Sequence, residues 1–121
     1  MYVEVTESDA RLVEPEVFSA FHVVRPTGTT PAEFAAALDA HRVGGPDGDD
    51  VLVRVDTVRA LAAGRVGPGW EDDFAGMLAY AGRKGWLSPD GSTVRAHVET
   101  GRPGAGEEPD EADDRRDAPD I

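Results

Sequence analysis

The stretch Trp70-Glu71-Asp72-Asp73-Phe74-Ala75-Gly76-Met77-Leu78-Ala79-Tyr80-Ala81, then Gly85-Trp86, then Thr93-Val94-Arg95-Ala96-His97-Val98-Glu99, decides the fold class. In its first part Trp70, Phe74, Met77, Leu78 and Ala81 recur at helical spacing and form one apolar stripe. Trp70 can staple onto Phe74, while Glu71, Asp72 and Asp73 sit where a helix carries partial positive charge. Gly85 fits a left-handed stop, and Trp86 the position that packs back on the final turn. From Thr93 the period changes to two: Val94, Ala96 and Val98 alternate with Arg95, His97 and Glu99, as in a half-buried strand. A helix followed by a strand, with the turn composition Ser88-Pro89-Asp90-Gly91 between them, implies helices packed on a sheet.

Working outward, Thr30-Pro31-Ala32-Glu33 is a capping box with proline at the first helical position. Phe34, Ala37, Leu38 and His41 continue that helix on one face, Arg42 suits its negative end, and Gly44 can supply the stop. Gly45 to Asp50 has the composition of a loop, and Val51-Leu52-Val53-Arg54-Val55 that of a strand. Asp56 fits the N-cap of a short helix reaching Ala63. Near the start, Tyr2 to Thr6 alternates like a strand. Residues 14–25 admit two readings, a helix opened by Pro15 or a strand over 17–25, of which the strand is favoured. These elements predict a single small α+β domain over residues 1–100: a few-stranded, mostly antiparallel sheet packed with about three helices.

The chain has 121 residues, with 24 acidic and 12 basic side chains and a formal charge of −12. One domain is the natural expectation at this length. Residues 101–121 carry eight carboxylates, three arginines and almost no large apolar side chain, which predicts a disordered acidic tail. Without cysteine, disulfides, thiolate metal sites and cysteine nucleophiles are excluded. A charge of −12 disfavours polyanions and anionic membrane surfaces, makes nucleic acid a poor partner, and favours a basic protein. No apolar run approaches the ~20 residues of a spanning helix. The N-terminus lacks a signal-peptide pattern, so a cytoplasmic location is expected. Eleven of the twelve basic residues are Arg, and there is no Asn or Gln. That bias is the stamp of a GC-rich genome more than of phosphate recognition.

The segments Trp70–Ala81, Gly85-Trp86 and Val94–Glu99 resemble the C-terminal part of small uncharacterised proteins from actinobacteria. The resemblance lies mainly in residues 70–99. It implies a cytoplasmic actinobacterial protein and brings no activity, cofactor or catalytic residue with it.

Few residues invite chemistry. His22, His41 and His97 are far apart in sequence, and no HExxH occurs, so no metal site and no cofactor are expected. His97 is the most interesting of the three, because alternation places it opposite the core beside Arg95 and Glu99. No serine lies in GxSxG or SxxK. Gly67-Pro68-Gly69 precedes three carboxylates, which would repel a phosphate. Asp47 to Asp50 resembles a calcium loop only superficially, since no glutamate closes it. No catalytic residue is assigned. The candidate binding residues are Trp70, Tyr80, Arg83, Trp86, Arg95 and His97, with the tryptophans equally explicable as core.

Three functions follow as expectations. The first is a non-enzymatic interaction or accessory module for a protein partner, a basic one by charge, with self-association left open. The alternative is a small enzyme or ligand-binding subunit with a pocket near Tyr80 and Trp86, bounded by Arg83 and His97 or His22. The weakest is a winged-helix-like nucleic-acid binder using Arg83, Lys84 and Arg95.

Overall fold

Thr30 and Glu33 exchange two hydrogen bonds, the Glu33 N–H to Thr30 Oγ1 at 3.1 Å and the Thr30 N–H to Glu33 Oε1 at 3.0 Å, and so open the first helix. The computed structural model describes residues 1–101. In chain order it has β1 (Tyr2–Val5), β2 (Ala10–Val13), β3 (His22–Arg25), α1 (Pro31–Ala40), β4 (Gly44–Asp47), β5 (Asp50–Arg54), α2 (Val55–Ala62), α3 (Trp70–Arg83) and β6 (Thr93–Thr100). The α+β class and the three helices are as the sequence implies. Among the described residues no helix is long and apolar enough to cross a membrane.

The six strands form one sheet in the order β2-β1-β3-β6-β5-β4. It is mixed, which corrects the expectation of a mostly antiparallel sheet: β1 with β3 and β3 with β6 run parallel. The β1–β2, β4–β5 and β5–β6 pairs are antiparallel. Parallel neighbours need long crossovers, and here helices and loops supply them.

Several local expectations are also revised. Residues 45–50, read as a loop, are mostly hairpin: β4 turns through Gly48 into β5, and Asp47 pairs with Asp50. Gly44 is required there, because a Cβ on it would lie 1.9 Å from the Leu52 carbonyl oxygen. The left-handed residue after α1 is Arg42, at φ 58°, rather than Gly44. Asp56 does not cap α2; that helix begins at Val55 directly out of β5, with Arg54 at the cap and Asp56 in the first turn. In the ambiguous 14–25 segment only His22–Arg25 is strand. The expected acidic tail falls on residues 102–121, outside the described residues. Gly101 itself still pairs with β3's end, its N–H donating to the Arg25 carbonyl at 3.0 Å.

The ends of α3 match their sequence signals. Trp70 stacks on Phe74 at 4.6 Å between ring centroids. Gly85 adopts φ 83°, and the Trp86 N–H returns to the Ala81 carbonyl at 2.8 Å.

Alternation along the strands then defines two faces. Val3, Val5, Leu12, Val23, Val51, Val53, Val94 and Ala96 share one core with Phe34 and Leu38 of α1, Val58 of α2, and Phe74 and Met77 of α3. All three helices therefore pack on the same face. The opposite face presents Tyr2, Glu4, Arg11, His22, Val24, Asp50, Leu52, Arg95, His97 and Glu99, by register and period two.

Candidate functional site

The sheet face that carries no helix among the described residues is where ionisable side chains meet. Parallel pairing sets His22 of β3 directly opposite His97 of β6, and Val24 opposite Glu99. Since side chains two apart on a strand share a face, His97 and Glu99 lie side by side with His22 across from them. The His22 and His97 rings are 5.3 Å apart between centroids. On its other side His22 stacks on Tyr2 of β1, at 5.0 Å and 11° between planes. A row of three rings thus crosses β1, β3 and β6.

The Glu99 carboxylate closes the group. One oxygen lies 2.9 Å from His97 Nε2 and the other 3.6 Å from His22 Nε2. The ligand-type atoms of His22, His97 and Glu99 all lie within 4.8 Å of one another. His22 is buried, only 8% exposed. Its Nε2 and the Nδ1 of His97 make no hydrogen bond among the described residues. Burial lowers the His22 pKa to about 4; His97 and the N-terminal ammonium push the same way, and Glu99 opposes them. His22 is therefore neutral at physiological pH.

Ion pairs flank the group on both sides. Arg11 pairs with Glu4, which is almost fully buried. Arg95 bonds Asp47 at 2.6 Å and approaches Asp50 at 3.5 Å, across the β4–β5 hairpin.

The six candidate binding residues fall in three places. Trp70 is core: it is 5% exposed and donates its indole N–H to the Pro15 carbonyl at 2.6 Å. Tyr80, Arg83 and Trp86 do come together at the C-terminal end of α3, where the Tyr80 and Trp86 rings meet edge to face at 6.1 Å. Arg83 lies over the Tyr80 ring and Lys84 over the Trp86 ring, at 5.6 and 5.9 Å. Arg95 and His97 belong to the other side of the sheet, because Val94 and Ala96 between them face the helices. The four-part pocket of Tyr80, Trp86, Arg83 and His97 is thus divided by the sheet itself.

His22 and Glu99 are the residues that gain most from the fold. Their only sequence signal is alternation, which gives a face but not a neighbour; the parallel β3–β6 register supplies the rest. Compared with known proteins, the chain matches no family model, no curated protein and no solved structure.

Proposed function

We propose that this protein is a non-enzymatic interaction module that docks a protein partner with a basic face along the outer side of α3. Support comes from what that helix presents. Asp72, Gly76, Ala79 and Arg83 follow one another at helical spacing and are all exposed, with half-buried Tyr80 beside them. The face thus runs from the Asp72 carboxylate at the helix start, through small side chains that permit close approach, to the Tyr80–Trp86 ring pair. Aromatic anchors of this kind dominate binding energy at interfaces. The charge of −12 would steer a basic partner and make the encounter salt-dependent.

The test compares tagged full-length chains as bait in host extract, with captured proteins identified by mass spectrometry. Gly76→Arg fills the small-residue strip without harming the fold, since a Cβ on Gly76 meets nothing within 4 Å. Tyr80→Ala removes an anchor, and Ala36→Arg, on the exposed side of α1, serves as control. The expected result is one protein with a basic surface, released by raised salt, kept by the control and weakened about tenfold or more by both α3 variants. Equal capture by Gly76→Arg and Tyr80→Ala, or no salt-sensitive protein at all, overturns the reading.

A further inference from the structure

We propose that His22, His97 and Glu99 form a binding site for one divalent transition-metal cation of the zinc type, on the sheet face opposite α1, α2 and α3. The site is independent of the α3 surface, from which the sheet separates it.

The donor set selects the ion class. Two imidazoles and one carboxylate suit zinc, cobalt or nickel, whereas magnesium and calcium prefer all-oxygen shells. The geometry is close to what such an ion needs. Tetrahedral coordination with bonds of about 2.0–2.2 Å sets neighbouring donor atoms about 3.3–3.6 Å apart. The carboxylate oxygens stand 2.9 Å from His97 Nε2 and 3.6 Å from His22 Nε2. The donor atoms of all three residues lie within 4.8 Å of one another, so side-chain rotation would draw them around one ion. Three protein ligands would leave a fourth position for water.

The placement is rigid. All three residues come from the paired strands β3 and β6, with the register fixed on both sides of the group. Regular elements hold ligands more tightly than loops do. His22 is further fixed by its stack on Tyr2.

A simple polar contact accounts for less. The His97–Glu99 hydrogen bond satisfies those two atoms but leaves His22 Nε2 buried, directed at the carboxylate and without a hydrogen bond among the described residues. An unsatisfied buried nitrogen is costly, and a cation shared by the three groups would remove that cost. Among the described residues the Nδ1 of His97 lacks the outer hydrogen bond that usually tightens a histidine ligand. The affinity should accordingly be moderate rather than extreme.

The experiment uses the full chain, stripped with a chelator and titrated with cobalt(II) and then zinc(II). Expected are one equivalent bound per chain, a visible cobalt absorption of tetrahedral strength, and its displacement by zinc. His22→Ala, His97→Ala and Glu99→Gln should each weaken zinc by about tenfold or more, while His41→Ala leaves it unchanged. Should His22→Ala fail to fold, imidazole NMR signals of the unmodified protein decide the matter. Zinc would then shift two histidines strongly and His41 little. No saturable cobalt or zinc binding, binding indifferent to His97→Ala and Glu99→Gln, or shifts confined to His41 would overturn the proposal. Calcium binding that ignores all three substitutions would report only diffuse attraction to carboxylates, and would not count in its favour.

Discussion

His22 and His97 face each other across the β3–β6 pair, 5.3 Å between ring centroids, although nothing in their local sequences ties one to the other. Burial disfavours a positive charge on His22, and the neighbouring His97 adds to the effect.

A dependence of stability on pH follows. The unfolded chain takes up the His22 proton near 6.5, the folded chain only near 4. Between those values the unfolded state binds more protons, so stability is full above 6.5 and is lost as pH falls toward 4. Comparing urea midpoints at pH 7 and 4.5, His22→Phe should lose about 2–3 kcal/mol less than the parent chain. Equal losses in both would place the acid sensitivity elsewhere.

Gly44→Ala should disrupt the β4–β5 hairpin. The new Cβ would meet the Leu52 carbonyl oxygen at 1.9 Å, and a backbone atom of a paired strand cannot swing aside. A loss of about 3 kcal/mol or more in chemical denaturation is expected. Hydrogen exchange should show the Leu52 and Arg54 amides, which point to β4, losing protection first.

Gly76→Ala should act in the opposite direction. Gly76 is in the middle of α3, exposed and with open space around it. Alanine lowers the entropy of the unfolded chain and has higher helix propensity, worth about 0.5–1 kcal/mol. A raised melting temperature with an unchanged circular dichroism spectrum would verify it.

Phe74→Ala should be among the most damaging single changes in the core. Phe74 is fully buried, stacked on Trp70 and covered by the Arg59 guanidinium at 5.3 Å. Truncation should cost about 3–5 kcal/mol. The two tryptophans give a separate readout: iodide should quench the fluorescence of Trp86, left alone in Trp70→Phe, far more than that of Trp70, left alone in Trp86→Phe.

What was legible in the sequence was local. The Thr30–Glu33 box, the Trp70–Phe74 staple and the Gly85-Trp86 stop each act within one helical turn, and each is realised. Period two correctly gave β6 its inner and outer faces. The Gly45–Asp50 segment misled because Gly and Pro are weak strand formers, yet β4 is an edge strand that needs few favourable side chains. Asp56 misled because the chain turns from β5 straight into α2 without a side-chain cap. The parallel pairings were not readable, since their partners lie far apart in the chain, and the His22–His97–Glu99 group depends on one of them. Tyr80, Arg83 and Trp86 could be grouped from sequence because one helix end holds all three.

The position of β6 between β3 and β5 governs how the molecule can be assembled. The β2-β1-β3 unit and the β4–β5 hairpin border no common strand until residues 93–100 arrive. During synthesis each is left with an unfilled sheet edge until β6, the last strand among the described residues, emerges and joins the two. A chain cut in the Ser88–Ser92 turn should accordingly yield two inert pieces that regain the native sheet only when mixed.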